Sequence, residues 1–228
     1  MPGYYLHLAA CGGHSLENRT FVLGVEAPDI LKKYVKVYGG IDGACAKYES
    51  IRTDGAPDFK ELEKRVLQNE QYGSTNGLHY GLSSSPNVGV FWNGLSEYQR
   101  HNLFYKGYAW HLLTDAIMYW RLNIDAKFQK FLENNQGAPN IEELKKGEVK
   151  KLHDDWDRTN ALVRAQYPEV SLTEEVKELG VVQFLTEGEL AYVDWTILKG
   201  TIDYLRSFDP LNGNMDDIIE DILNSMVK

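Results

Sequence analysis

The sequence is poor in several features that would each point to a particular class of protein. It has two cysteines, Cys11 and Cys45, too few to crosslink a small secreted scaffold. No apolar run approaches the length that spans a bilayer, and the first residues lack the basic start and the continuous apolar stretch of a secretory signal. We therefore expect a cytoplasmic protein with reduced thiols and no transmembrane segment.

Positive charge is also in short supply. Lys and Arg number 24 against 33 Asp and Glu, which gives a formal net charge of −9. Binding to a nucleic-acid backbone depends on Lys and Arg that neutralise phosphates, so the sequence carries no strong nucleic-acid signal. A small phosphate-bearing substrate would need a local positive charge, which a bound metal ion could supply. The oligomeric state is left open.

Extended segments are scarce as well. The only plausible one is "PNVGVFW" at 86–92, whereas apolar periodicity indicates helices in most of the remaining chain. The composition is that of a globular protein, and neither a repeat nor a linker divides the chain. We predict an all-α, single-domain helical bundle over residues 1–228. The candidate helices are 58–72, 95–122, 125–135, 140–166, 171–179, 186–207 and 215–227.

Capping signals and loop signals place these helices. Ser96 with Gln99, Ser171 with Glu174, and Thr186 with Glu189 each have the spacing of a capping box at a helix start. Two stretches are predicted to be loops. They are "GSTNGLHYGLSSSPNVG", which contains His79, and "GVEAPDI", which carries Asp29 after a proline.

The segment "FYKGYAWHLLTDAIMYW", residues 104–120, is aromatic enough for a core, yet it contains His111 and Asp115. Residues four apart share one face of a helix, so both side chains can point at one position. Imidazole nitrogen and carboxylate oxygen are ligands of zinc. The alternative is a buried structural pair, which this pattern alone favours.

Further residues of the same chemical types strengthen the metal interpretation. His7 lies near the N-terminus, and "LHDDWDRTN" places His153 and Asp157 four apart on another predicted helix. Buried charges persist only when they are paired or bound to a metal. Together with Asp29 and His79, these residues make the metal interpretation harder to dismiss.

In order and local context these segments resemble the zinc-dependent phospholipase C family, whose fold is shared with single-strand-specific zinc nucleases. The resemblance covers residues 3–165, and its most specific part is the central His-x-x-x-Asp helix. The matching segments are "LHLAA", "GVEAPDI", "GLHYG", "FYKGYAWHLLTD" and "HDDWD".

The resemblance implies two or three neighbouring zinc ions with Asp115 as a bridge. The first ion would be bound by Asp29, His79, His111 and Asp115. The second would share Asp115 and add His7. The third would use His153 and Asp157.

The sequence departs from the family in two places. It starts with Met-Pro where secreted members use an N-terminal tryptophan as a ligand, and it has Arg121 where a further third-metal histidine is expected. Candidates to replace that histidine are Asn123, Asp125 and His101. Arg121 could alternatively clamp a phosphate, and Tyr80 and Tyr108 are further candidates for substrate contacts because they adjoin proposed ligands.

The chemistry implied by such a centre is hydrolysis of a phosphoester, a small-molecule substrate, with Asp29 either a metal ligand or the general base. Three alternatives remain open. The first is a zinc-dependent nuclease or nucleotidase on the same fold, and the second is a metal-binding protein without turnover. The third is an HD-type phosphohydrolase, suggested by the adjacent His153 and Asp154.

Overall fold

The computed structural model describes residues 4–63 and 88–227, and all regular structure in these ranges is helical. The all-α prediction is confirmed. A short 3-10 turn, Ser15–Glu17, lies between the first two α-helices. The α-helices in chain order are α1 (Tyr4–Cys11), α2 (Arg19–Val37), α3 (Ile41–Ile51), α4 (Phe59–Leu62), α5 (Val88–Asn93), α6 (Glu97–His101), α7 (Leu103–Leu122), α8 (Ile124–Asn134), α9 (Ile141–Gln166), α10 (Glu174–Leu179), α11 (Trp195–Leu205) and α12 (Met215–Val227).

Helix α7 lies at the centre of the fold, and most of its side chains are buried. The Asn102 side chain caps its start by accepting from the Phe104 N–H, and Asn123 ends it in the left-handed conformation, with φ 54°. Helices α1, α2, α5, α6, α11 and α12 all pack against it. A helix that is surrounded in this way must be apolar on nearly every side, which explains its aromatic sequence.

Two glycines allow α2 and α7 to pack backbone against backbone. A Cβ atom on Gly24 would lie 2.0 Å from the Phe104 carbonyl oxygen, and one on Gly107 would lie 2.1 Å from the Phe21 carbonyl oxygen. Any larger residue at either position would force the helices apart. The close approach brings the backbone of α2 within reach of side chains on α7.

Helix α1 is buried on all sides, against α2, α7, α9 and α11. All eight of its residues are buried, and His7 is the only basic residue among them. Packing against four other helices explains why a short helix of limited intrinsic stability persists.

The predicted extended segment at 86–92 is wrong over its described residues, which form α5. Val88, Phe91 and Trp92 are buried at helical spacing and pack toward α7, so tertiary packing selects the helix. The predicted loop around Asp29 is also wrong, because Asp29 lies within α2. Pro28 leaves the Gly24 carbonyl without its helical donor, but burial of both flanks of α2 outweighs this loss.

Of the predicted helix starts, the capping box of Ser96 and Gln99 is confirmed. Helix α10 begins two residues later than the predicted cap Ser171 requires, with Thr173 as its cap instead. No helix begins at Thr186. Helix α11 starts at Trp195 instead, because Asp194 accepts from the Thr196 and Ile197 N–H groups. None of the helices in the described part of the chain is both long enough and apolar enough to cross a bilayer.

Candidate metal centre

Three predicted ligands converge between α1 and α7. His7 comes from α1, and His111 and Asp115 come from successive turns of α7. Their exposed fractions are 1%, 0% and 1%. One donor atom from each residue lies within 4.8 Å of the others, and this buried group could hold a metal ion.

The carboxylate of Asp115 lies between the two imidazoles. His7 Nε2 is 3.3 Å from Asp115 Oδ1, and His111 Nε2 is 3.5 Å from Asp115 Oδ2. The two rings stack with centroids 3.8 Å apart. Ligands bound at about 2.1 Å to one tetrahedral zinc ion stand about 3.4 Å apart, so the donor spacing suits such an ion.

A backbone contact orients His111. Its Nδ1 donates to the Val25 carbonyl oxygen at 2.7 Å, because a carbonyl oxygen can only accept. This leaves Nε2, the nitrogen that faces Asp115, to carry the lone pair of a neutral ring. Metal-binding histidines are commonly held by this kind of hydrogen bond. The contact depends on Gly24 and Gly107, which let α2 approach α7.

Four polar atoms of His7 and Asp115 lack a hydrogen bond among the described residues. They are both ring nitrogens of His7 and both carboxylate oxygens of Asp115, all inaccessible to solvent. The two side chains still interact, because His7 Nε2 lies 3.3 Å from Asp115 Oδ1 and the imidazole lowers the pKa of the carboxylate. Buried polar atoms without partners are costly and rare, and a cation bound among them would remove that cost. The donor set therefore fits a metal ion.

The ionisation of these groups also suits a cation. Burial lowers the pKa of His7, and the nearby His111 lowers it further. Burial opposes the charged form of His111 too, but Asp115 outweighs it and raises the pKa of that ring. Burial opposes the charged form of Asp115, yet the two imidazoles hold its pKa well below the usual range. The centre thus contains an ionised carboxylate.

Asp29 is nearby but outside this group of three. It is buried in α2, one turn after Val25, and its negative charge favours the protonated form of both His7 and His111, although burial still leaves the pKa of His7 lowered. The same charge raises the pKa of Tyr4, after the larger effect of burial. Asp29 therefore acts electrostatically on the centre. His79 and Tyr80 lie outside the described residues.

The predicted substrate contacts lie in different surroundings. Tyr108 is buried and stacks on Phe91 with ring centroids 4.7 Å apart. The Arg121 guanidinium lies 4.5 Å from the centre of the Tyr204 ring. Tyr108 is thus part of the core one turn before His111, and Arg121 makes a cation–π contact with α11.

The predicted third-metal ligands are not brought to the group of three. His153 is exposed on α9, and Asp157 is half-buried one turn later. The described residues contain no other group of three ligands comparable with that of His7, His111 and Asp115. His101 and Asp125 are two of the candidates to replace the missing third-metal histidine. His101 is exposed, and Asp125 has a buried oxygen without a hydrogen bond in the described part of the chain.

The buried acid of the "HDDWD" segment is Asp155, which sequence reasoning missed. Its oxygens accept from the N–H groups of Ala191, Tyr192 and Val193 at 2.6–3.1 Å, so it anchors the segment before α11 to α9. Helical spacing could have identified it. The buried residues of α9 recur on one face, and Asp155 belongs to that set: Leu152, Asp155, Trp156, Thr159, Asn160 and Val163.

Comparisons with known proteins give no relative. No family model, no curated protein and no solved structure matches this chain. The resemblance to the zinc-dependent phospholipase C family therefore stays a prediction from the residues quoted above.

Proposed function

We propose that this protein is a metal-dependent hydrolase of phosphoesters, with a zinc centre to which His7, His111 and Asp115 contribute. The observation that supports this proposal is the convergence of these three buried side chains, from two helices, with one donor atom of each within 4.8 Å of the others. Two imidazoles and a carboxylate are a common ligand set of catalytic zinc.

In this proposal each residue has a defined task. Asp115 contributes the charge that attracts a cation, and the Val25 carbonyl holds the His111 ring in the tautomer that binds one. A bound zinc ion supplies Lewis acidity, which polarises a phosphoryl oxygen and lowers the pKa of water. Asp29, buried near both imidazoles, either adds a ligand or accepts the proton of the attacking water. His79 and Tyr80 extend the ligand and substrate-contact sets in the same proposal.

Complete burial of the donor atoms favours a second candidate, a metal-binding protein without turnover. His111 and Asp115 are 0% and 1% exposed, so among the described residues they present almost no surface to a substrate. In such a protein the ion would stabilise the contact between α1 and α7. The two candidates differ in turnover and agree on metal binding.

The test combines metal analysis with turnover. Protein purified without added metal is examined by elemental analysis, and hydrolysis of bis(p-nitrophenyl) phosphate is measured for wild type, His111→Ala and Asp115→Asn. The exposed His14 provides the matched control, His14→Ala. Phospholipid vesicles and single-stranded DNA, as further substrates, separate lipase from nuclease activity.

Each outcome has one interpretation. Bound zinc with turnover that is abolished in both centre variants, and retained in His14→Ala, supports the hydrolase. Bound zinc without turnover on any substrate supports the non-catalytic protein. Wild-type protein that contains no metal and takes up no added zinc would reject both candidates.

A further inference from the structure

A second polar feature lies in a pocket away from the metal ligands. Helix α2, the 3-10 turn and the segment 171–177 enclose a pocket of about 390 Å³. This volume is in the range of small-molecule sites. Much of its wall is apolar, and the apolar side chains are Leu16, Val22, Leu23, Ile51 and Leu172.

The pocket wall contains Glu26, a carboxylate that is only 3% exposed. The Thr173 hydroxyl donates to it, at 2.8 Å from Oε1 and 3.0 Å from Oε2. Among the described residues no Lys, Arg or His nitrogen lies within 4.0 Å of this carboxylate. A buried acid of this kind is normally paired with a cation.

The neighbouring cations are already paired with other acids. Arg19 pairs with Glu175, and Lys177 pairs with Glu174 at 2.6 Å. Once these pairs are discounted, the pocket retains the carboxyl group of Glu26 inside and the exposed carboxylate of Glu17 at its rim. Burial and the nearby Glu175 both oppose ionisation of Glu26, and an ammonium group beside it would favour the ionised carboxylate against these two effects.

We propose that this pocket binds a small organic cation, a primary ammonium group on a short apolar body. The ammonium group would contact Glu26, and the apolar body would pack against Leu23 and Leu172. A bare metal ion suits the pocket less well, because no group of three ligands forms there and much of the wall is apolar. The proposal is independent of the metal centre and of hydrolysis.

The test is a titration of 15N-labelled protein with n-pentylammonium chloride, followed in 1H–15N correlation spectra. The controls in probe chemistry are 1-pentanol and pentanoate, which keep the apolar body and replace the cation. We expect saturable shifts at Val22, Leu23 and Leu172 with the ammonium compound, and binding of the two controls weaker by about tenfold or more.

The control on the protein side is a matched pair of glutamate-to-glutamine substitutions. Glu26→Gln should weaken n-pentylammonium binding about tenfold or more, whereas Glu17→Gln at the exposed rim should change it less than about threefold. Equal binding of pentanol and pentylammonium, shifts outside the pocket, or unchanged affinity in Glu26→Gln would overturn the proposal. The probe comparison uses wild-type protein, so it decides the matter even if Glu26→Gln fails to fold.

Discussion

The imidazole rings of His7 and His111 lie face to face, with centroids 3.8 Å apart and planes inclined by 14°. Two imidazolium ions at this distance would repel strongly, because burial removes the water that would screen them. The pKa of His7 is accordingly lowered, first by burial and then by His111. A neutral His7 keeps a lone pair for a cation, and Asp115 contributes the negative charge.

Removal of bound metal should lower stability. A metal that binds only the folded chain stabilises it by about 4 kcal/mol at a thousandfold excess over its dissociation constant. We therefore expect chelator to lower the Tm of wild-type protein in thermal unfolding, and zinc to restore it. In Asp115→Asn the Tm should change with neither chelator nor zinc. A change as large as that of the wild type would contradict the role of Asp115 as a metal ligand.

Replacement of Gly107 should disturb both packing and metal binding. In Gly107→Ala the new Cβ would meet the Phe21 carbonyl, so α2 and α7 must separate, and we expect a loss of about 1–3 kcal/mol of unfolding free energy in urea titrations. Separation also draws Val25 from His111, which should weaken zinc binding by about 10- to 100-fold.

The matched control for this change is Gly147→Ala. Gly147 lies within α9, and a Cβ there meets no atom within 4 Å. Alanine should leave zinc affinity unchanged and raise stability by about 1 kcal/mol, from helix propensity. Equal effects of the two substitutions on zinc affinity would show that close packing of α2 and α7 does not position His111.

Loss of the Asp155 carboxylate should destabilise the fold without affecting the metal centre. Asp155→Asn weakens three hydrogen bonds from backbone N–H groups, so we expect a loss of about 2–3 kcal/mol in chemical unfolding. The neighbouring Asp154 is paired with Lys150 on the surface, and Asp154→Asn should change stability by less than about 0.5 kcal/mol. Zinc content per chain should match wild type in both variants.

Glu26 should make stability depend on pH. Burial, first, and the charge of Glu175 raise its pKa to about 8 in the folded protein, although the Thr173 hydroxyl and Arg19 act in the opposite direction. Between pH 4.5 and pH 8 the folded chain therefore holds a proton that the unfolded chain has lost. The free energy of unfolding should fall as pH rises through this interval, by up to about 1.4 kcal/mol per pH unit.

Glu26→Gln isolates this effect, because every other titrating group is shared with the wild type. Urea titrations of chelator-treated proteins from pH 5.5 to 8.5 should show the advantage of Glu26→Gln over wild type growing as pH rises. Glu17→Gln, at an exposed position, should run parallel to wild type. Parallel curves for Glu26→Gln and wild type would mean that Glu26 titrates in its ordinary range when folded.

Sequence patterns over a few residues predicted correctly those features that depend only on nearby residues, such as helix faces and helix caps. The shared helix face of His111 and Asp115 could be predicted because residues four apart lie on one face of any α-helix, independent of tertiary packing. The same holds for the cap formed by Ser96 and Gln99. Local reasoning failed at Asp29, where Pro28 and a glycine indicated a loop and burial of α2 overrode both.

By itself, then, the sequence determined the fold class, most helices and the one-turn pairing of His111 with Asp115, because these follow from periodicity over a few residues. Only the tertiary structure decided that His7 joins that pair, that the Val25 carbonyl orients His111, and that Asp155 is the buried acid of α9. These contacts join residues far apart in the chain. They depend on how closely whole helices approach, which the glycines of α2 and α7 permit but no local pattern specifies.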